Sequence, residues 1–300
     1  MTMRLPEWIR TTHVPGLHET RSLLRRHRLA TVCEEARCPN MGRCFARPTA
    51  AFMILGSACT RNCGFCSVVS GHPEPPDEKE PDNVAAAAAE LGLRYVVVTS
   101  VTRDDLADGG ARHFSRTIEA IRQRLPATKV EVLTPDFKGR REALRTVLQA
   151  GPDVFNHNME TVERLYPAVR PAADYRRSLR VLRAAKDLAP HIFIKSGFML
   201  GLGETPDEVG RLLQDLLKAG CDFLTIGQYL QPTRKNLPVV EYMRPEVFED
   251  LRKRARAMGF RFAASGPMVR SSMNADEMYN CNSGPKQPAA TERASGEEDA

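Results

Sequence analysis

The chain has 300 residues, of which 42% are hydrophobic and 27% charged, and it carries a formal charge of +6. That balance excludes collagen-like, fibrous and wholly disordered proteins, and it leaves room for one large domain or two modest ones. The excess charge is uneven, with nine arginines against four glutamates in residues 1–50, as expected of a solvated basic face or of a surface that docks nucleic acid or an acidic protein.

The opening residues, MTMRLPEWIRTTHVPG, lack the apolar centre of a secretory leader. The most apolar later run, Ile192 to Leu202, falls short of the roughly 18 residues a membrane span needs and carries Lys195. We therefore expect a cytoplasmic protein in a reducing compartment, with no membrane role.

Six of the eight cysteines lie between positions 33 and 66. Without an export signal, such clustering favours metal or redox chemistry over disulfides. The first triplet, Cys33, Cys38 and Cys44 in CEEARCPNMGRC, has Pro39, Asn40 and Gly42 to turn the backbone around a zinc ion or a cluster. Next comes the apolar run AFMILG, a buried strand, and then Cys59, Cys63 and Cys66 in C-x3-C-x2-C spacing. Zinc sites complete four ligands, commonly from paired C-x2-C units, and no fourth His or Cys stands nearby. Three thiolates on one tight loop suit an iron–sulfur cluster whose last iron is open to a substrate or cofactor.

Beyond this loop, short β-branched runs alternate with longer helical patterns, the order of parallel strands joined by crossover helices. Six strands are expected, at 52–55, 95–100, 129–133, 154–157, 192–199 and 223–226. Helices are expected at 83–91, 114–124, 140–149, 175–187 and 206–219. Six βα units make an α/β chain with a partial (β/α)6, TIM-like barrel, whose chemistry sits in loops at the carboxyl ends of the strands. Polar loops follow strand two (Thr102 to Asp105) and strand four (Asn156 to Glu160), where such residues either bind a ribose or amino acid or cap the next helix. His157, alone at a strand end, is read as a hydrogen-bonded structural residue. Cys221 reads as a small buried hydrophobe, and residues 284–300, with no bulky apolar side chain, as a flexible tail.

C-x3-C-x2-C after a strand resembles the radical S-adenosylmethionine (SAM) superfamily, whose cluster leaves one iron to be chelated by the amino and carboxylate groups of SAM. The blocks CEEARCPNMGRC, FMILGSACTRNCGFCSV, VTSVTRDDLADGGARHF, FNHNMETVERLYPAVRP, KSGFMLGLGET, FLTIGQYLQPTRKNLPVVEY and GPMVRSSMNADE resemble the lipoyl synthase family and span most of residues 31–280. The resemblance implies two 4Fe–4S clusters. Cys59, Cys63 and Cys66 would hold the SAM cluster, and Cys33, Cys38 and Cys44 a sacrificial auxiliary cluster. The fourth auxiliary ligand would be a serine of Arg270-Ser271-Ser272, with Ser272 preferred. Asn158 and Glu160 would contact SAM. Met273 stands where the family usually has tyrosine.

The implied reaction is insertion of two sulfur atoms at carbons 6 and 8 of an octanoyl chain on a lipoyl carrier domain, either a 2-oxoacid dehydrogenase E2 subunit or the glycine cleavage H protein. It would use an electron donor and no nucleic acid. The implied organisation is an auxiliary-cluster extension (1–50), a barrel (51–265), a segment with the serine ligand (266–283) and a tail (284–300). The alternatives are another two-cluster radical SAM sulfur transferase, such as a methylthiotransferase, or a non-enzymatic zinc protein that binds nucleic acid.

Overall fold

A computed structural model describes residues 4–9, 17–46, 51–273 and 275–281. At the amino end, α1 (Leu17–Arg26) leads into β1 (Ala30–Thr31), the short helices α2 (Val32–Glu35) and α3 (Met41–Ala46), and the first barrel strand, β2 (Ala51–Ile54). Two-residue strands β3 (Ala58–Cys59) and β4 (Val69–Ser70) pair with each other and clasp the loop between them. The repeating part then runs α4 (Glu80–Glu90), β5 (Tyr95–Ser100), α5 (Ala111–Arg124), β6 (Lys129–Leu133), α6 (Arg141–Gln149) and β7 (Val154–Asn156). It continues through α7 (Tyr166–Val169), α8 (Tyr175–Leu188), β8 (Phe193–Leu200), α9 (Pro206–Lys218), β9 (Phe223–Gln228), α10 (Pro245–Met258), β10 (Phe262–Gly266) and α11 (Ala275–Asn280).

The main sheet has the order β1-β2-β5-β6-β7-β8-β9-β10, with every pair parallel except β1 against β2. All six expected strands and all five expected helices are present, with ends displaced by a turn or less. The structure adds a seventh parallel strand, β10, whose sequence FAASG lacks the β-branched run that marks the others. Helix α10 before it buries little beyond Phe248 and Ala255, so its apolar stripe is thin. Local chemistry sets the helix starts. Thr205 and Glu208 form a reciprocal capping box at α9. Gly110, at φ 91°, starts α5 where any Cβ would run into the Leu55 side chain.

Period-two alternation divides each strand. Val96, Val98, Val130, Val132, Phe155, Ile194 and Leu224 are buried in the core shared with the helices. The opposite faces of the same strands, carrying Tyr95, Val97, Glu131, Asn156, Lys195 and Thr225, point toward the barrel axis. Helix α11 fills the axis at one level. Its Ala275 packs with Ala51 and Val97, and its Met278 with Val154 and Phe223. Because the barrel strands are parallel, the loops that follow β2, β5, β7, β8 and β9 gather at the same rim. No helix among the described residues is long and apolar enough to cross a membrane. The tail expected at 284–300 lies outside the described residues.

Candidate active site

The loop after β2 is held from several sides. Leu55 and Gly56 leave the strand through left-handed backbone, φ 68° and 91°. Cys59 Sγ then accepts hydrogen bonds from the Arg61 amide (3.4 Å) and the Thr102 amide (3.3 Å). The Asn236 carboxamide donates to Cys66 O at 2.7 Å, and the Leu237 amide to Gly64 O at 2.9 Å. A Cβ on Gly64 would sit 2.8 Å from Leu237 Cδ1, which accounts for glycine between Cys63 and Cys66.

Arg61, itself within the cysteine loop, points inward to Asp104 (2.7 Å) and Asp136 (2.7 Å), and Asp136 also binds Arg177 of α8 at 2.7 Å. The polar loop at Thr102 to Asp105 is therefore largely occupied with structure. Asp104 holds Arg61, while Arg103 binds Asp105 and Leu55 O. Burial pushes the Asp136 carboxyl up, but the Arg61 guanidinium outweighs it and holds the group well below the usual carboxylate range. A depressed folded-state value stabilises the fold at all pH above the ordinary range, and the benefit disappears only as pH falls through that low value. We expect Asp136→Asn to cost about 2–3 kcal/mol at pH 7, with the difference persisting to about pH 4, because Arg61 keeps Asp104 whereas Arg177 loses its carboxylate and keeps only the Ala172 carbonyl. Urea unfolding of both proteins across that range measures it.

The first triplet is arranged on successive turns. Cys33 lies in α2, which Thr31 caps through Glu34 N (3.3 Å). The Cys38 amide donates to Cys33 O (2.9 Å), and the Cys44 amide to Asn40 O (2.9 Å). Three ties connect this segment to the rest of the site. Ser67, just past Cys66, donates its hydroxyl to Glu35 O at 2.7 Å. Asn40 donates to Met268 O at 2.7 Å and to Met273 Sδ at 3.5 Å. The Arg270 guanidinium is buried within the electrostatic reach of Cys38. All eight cysteines are free thiols. Burial pushes Cys33 and Cys66 up to about 12 and raises Cys63 as well, so metal loading must displace protons.

At the end of β7, Asn158 and Glu160 turn into the same space. Glu160 takes a left-handed φ of 66°, strain held by its amide on Gly197 O (3.0 Å) and by its carbonyl accepting from Met199 N (2.9 Å). Burial pushes its carboxyl up, against the opposing charge of Arg170 and a hydrogen bond from Asn158. Arg170, which sequence reasoning missed, donates to Asn158 O at 2.8 Å and lies within the field of Cys63. Its only sequence signal is its place in the block YPAVRP. His157 is buried and neutral, its Nδ1 2.9 Å from Thr134 O, with burial holding it down to about 4. Cys221 is buried in the core.

Cys33, Cys38, Cys66, Asn158, Glu160 and Ser272 line one cavity of about 550 Å³. Cys44, Cys59 and Cys63 stand in the flanking segments. Among the described residues no three His, Cys, Asp or Glu side chains converge on a single ion. Zinc would need its donors about 2.3 Å from one point, whereas a cluster takes each thiolate on a separate iron. The soft all-thiolate donor sets therefore fit clusters.

A family model, the radical SAM superfamily, matches residues 53–227. A lipoyl synthase from Caldanaerobacter subterraneus subsp. tengcongensis is 56% identical over 277 residues, covering 92% of this chain and 97% of its own. The chain belongs to the lipoyl synthase family. A second lipoyl synthase, from Alkaliphilus metalliredigens, is 53% identical and covers 91% of this chain and 95% of its own. In fold, the chain is similar to the crystal structure of methylornithine synthase, at TM-score 0.54 and 15% identity, covering 80% of this chain and 73% of that one. As a member of the lipoyl synthase family, the chain is a radical SAM enzyme that transfers sulfur, with SAM and 4Fe–4S clusters as its cofactors. Met273 touches the auxiliary loop through its sulfur.

Proposed function

We infer that this chain inserts two sulfur atoms, at carbons 6 and 8, into an octanoyl chain carried on a lysine of a lipoyl carrier domain. The observation that carries this reading is the single cavity that residues of both cysteine triplets share with Asn158 and Glu160. Cys59, Cys63 and Cys66 hold the SAM cluster, and Cys33, Cys38, Cys44 and Ser272 the auxiliary cluster. Both serines line the cavity, and Ser272 is favoured because the Ser271 hydroxyl already accepts from Asn156 (2.8 Å) and donates to Asn158 (3.2 Å).

When bound, the SAM cluster supplies one-electron cleavage of SAM to a hydrogen-abstracting radical, and the auxiliary cluster supplies sulfur. Glu160 and Asn158 offer an acceptor and an amide to the polar end of SAM. Phe65, Phe198, Tyr229, Leu230, Tyr242 and Val269 give the cavity an apolar wall that suits an eight-carbon chain and keeps water from the reacting C–H bonds. The carriers are octanoylated E2 subunits of 2-oxoacid dehydrogenases and the glycine cleavage H protein, with a cytoplasmic electron donor. The chain divides functionally at 1–50, 51–265 and 266–283, since each part brings its own ligands to the cavity.

The test is iron, acid-labile sulfide and zinc per chain after anaerobic reconstitution. The parent should hold about eight irons and Cys33→Ala/Cys38→Ala/Cys44→Ala about four, because each triplet carries one four-iron cluster. Equal iron in both proteins would remove the sulfur-donor role, and stoichiometric zinc would restore the zinc-protein alternative.

A further inference from the structure

A polar layer lies inside the barrel, beneath the cavity and above the apolar contacts of α11. Its centre is an ion pair between Lys195 of β8 and Glu131 of β6, with Nζ 2.8 and 3.1 Å from the two carboxylate oxygens. Neither side chain is more than 1% exposed. Tyr95 of β5 donates its hydroxyl to Glu131 Oε2 at 2.7 Å. Asn156 of β7 donates from the same nitrogen to Glu131 Oε1 (3.0 Å) and to Ser271 Oγ (2.8 Å). Ser271 in turn donates to Asn158 Oδ1 (3.2 Å), and Asn158 donates to the Glu160 carboxylate.

Every link in this chain has a fixed direction. The carboxylate of Glu131 can only accept, so it orients the Asn156 amide with its nitrogen toward the barrel axis. One N–H is then left for Ser271, whose oxygen accepts it and whose own proton points to Asn158. That proton selects the oxygen of Asn158, which forces the Asn158 nitrogen toward Glu160. A buried ion pair costs desolvation and is weak evidence for stability by itself, so its position under the cavity calls for another reason.

We propose that Ser271, oriented through Asn156 by the buried Glu131–Lys195 pair, is a positioning residue that sets the Asn158 amide and Glu160 for SAM and leaves the adjoining Ser272 to face the auxiliary triplet. The proposal rests on the reading that Asn158 and Glu160 contact SAM. One hydroxyl then fixes the geometry on both sides of the cavity. The SAM side is held by hydrogen bonding, and the auxiliary side by the anchoring of residues 267–273 inside the barrel.

The test compares the parent holoenzyme with Ser271→Ala and Ser271→Thr. The KM for SAM, kcat for 5′-deoxyadenosine release, iron per chain and the electron paramagnetic resonance of each cluster are measured for all three. Ser271→Ala should raise the SAM KM about tenfold with little change in kcat and no loss of iron, since about 1.4 kcal/mol is tenfold in an equilibrium constant. Ser271→Thr, which keeps the hydroxyl, should return the KM to within about threefold of the parent. Loss of auxiliary iron in Ser271→Ala with an unchanged SAM KM would make Ser271 the ligand and overturn the proposal. An unchanged KM and unchanged iron would also overturn it, reducing the contact to packing. A parent whose spectrum does not respond to SAM would instead defeat the underlying assignment of the SAM site, an outcome distinct from both.

Discussion

Alanine at Cys59, Cys63 and Cys66 is expected to abolish both SAM cleavage and lipoyl formation, whereas alanine at Cys33, Cys38 and Cys44 should abolish only lipoyl formation. The physical basis is the separation of the two triplets in the fold. The second triplet sits on the loop after β2, gripped by Arg61, Asn236 and Leu237. The first is carried by α2, α3 and the turn between them, and is joined to that loop by the hydrogen bond from Ser67 to Glu35. Removing its thiols leaves Arg61, Asp104 and Asp136 in place, so the SAM site survives. Lipoyl formation should fall more than about 1,000-fold in both variants, because the cofactor and not a side-chain acid or base carries the chemistry. The check is anaerobic turnover with an octanoylated carrier domain, with 5′-deoxyadenosine and lipoyl product followed together. Concerted loss of 5′-deoxyadenosine in the Cys33/Cys38/Cys44 variant would mean that the two sites do not act separately.

Both triplets could be read from spacing, because thiolate ligands on a short loop must be close in sequence. The six strands were legible for a similar reason: strands such as YVVVTS and KVEVL carry β-branched residues between helices with apolar stripes. The polar layer was not legible. Glu131 and Lys195 are ordinary charged residues within strands, and only the register of β6, β7 and β8, which sets Asn156 opposite Lys195 and Glu131 opposite Val154 two residues away, brings the three within reach of one another. The loop at Thr102 to Asp105 had two readings that sequence could not separate, since an aspartate that grips a neighbouring loop's arginine has the same composition as one that meets a ligand. Strand β10 and helix α11 were missed because FAASG and ADEMYN are too short and too mixed to show a period. Arg170 is silent for another reason. Its role comes from a backbone carbonyl, Asn158 O, and carbonyls have no sequence signature.

Replacing Glu131 by leucine should destabilise the fold more than replacing Lys195 by methionine, and the double variant should recover much of the loss. Without Glu131, the Lys195 ammonium has no acceptor among its described hydrogen bonds, in a place with no solvent access. Without Lys195, the Glu131 carboxylate keeps the Tyr95 hydroxyl and the Asn156 amide as donors. Breaking a buried pair by removing one partner typically costs about 3–5 kcal/mol, so we place Glu131→Leu at the upper end and Lys195→Met at the lower. Urea unfolding of the three variants gives the coupling energy by a double-mutant cycle. A double variant as unstable as the sum of the singles would mean that the pair is not the centre of the layer. If the double variant folds with near-parent stability and still binds SAM poorly, the pair serves orientation rather than stability. In that protein the hydrogen-bond chain from Asn156 through Ser271 to Asn158 has lost the anionic end that set its direction, and the SAM KM should rise as it does in Ser271→Ala.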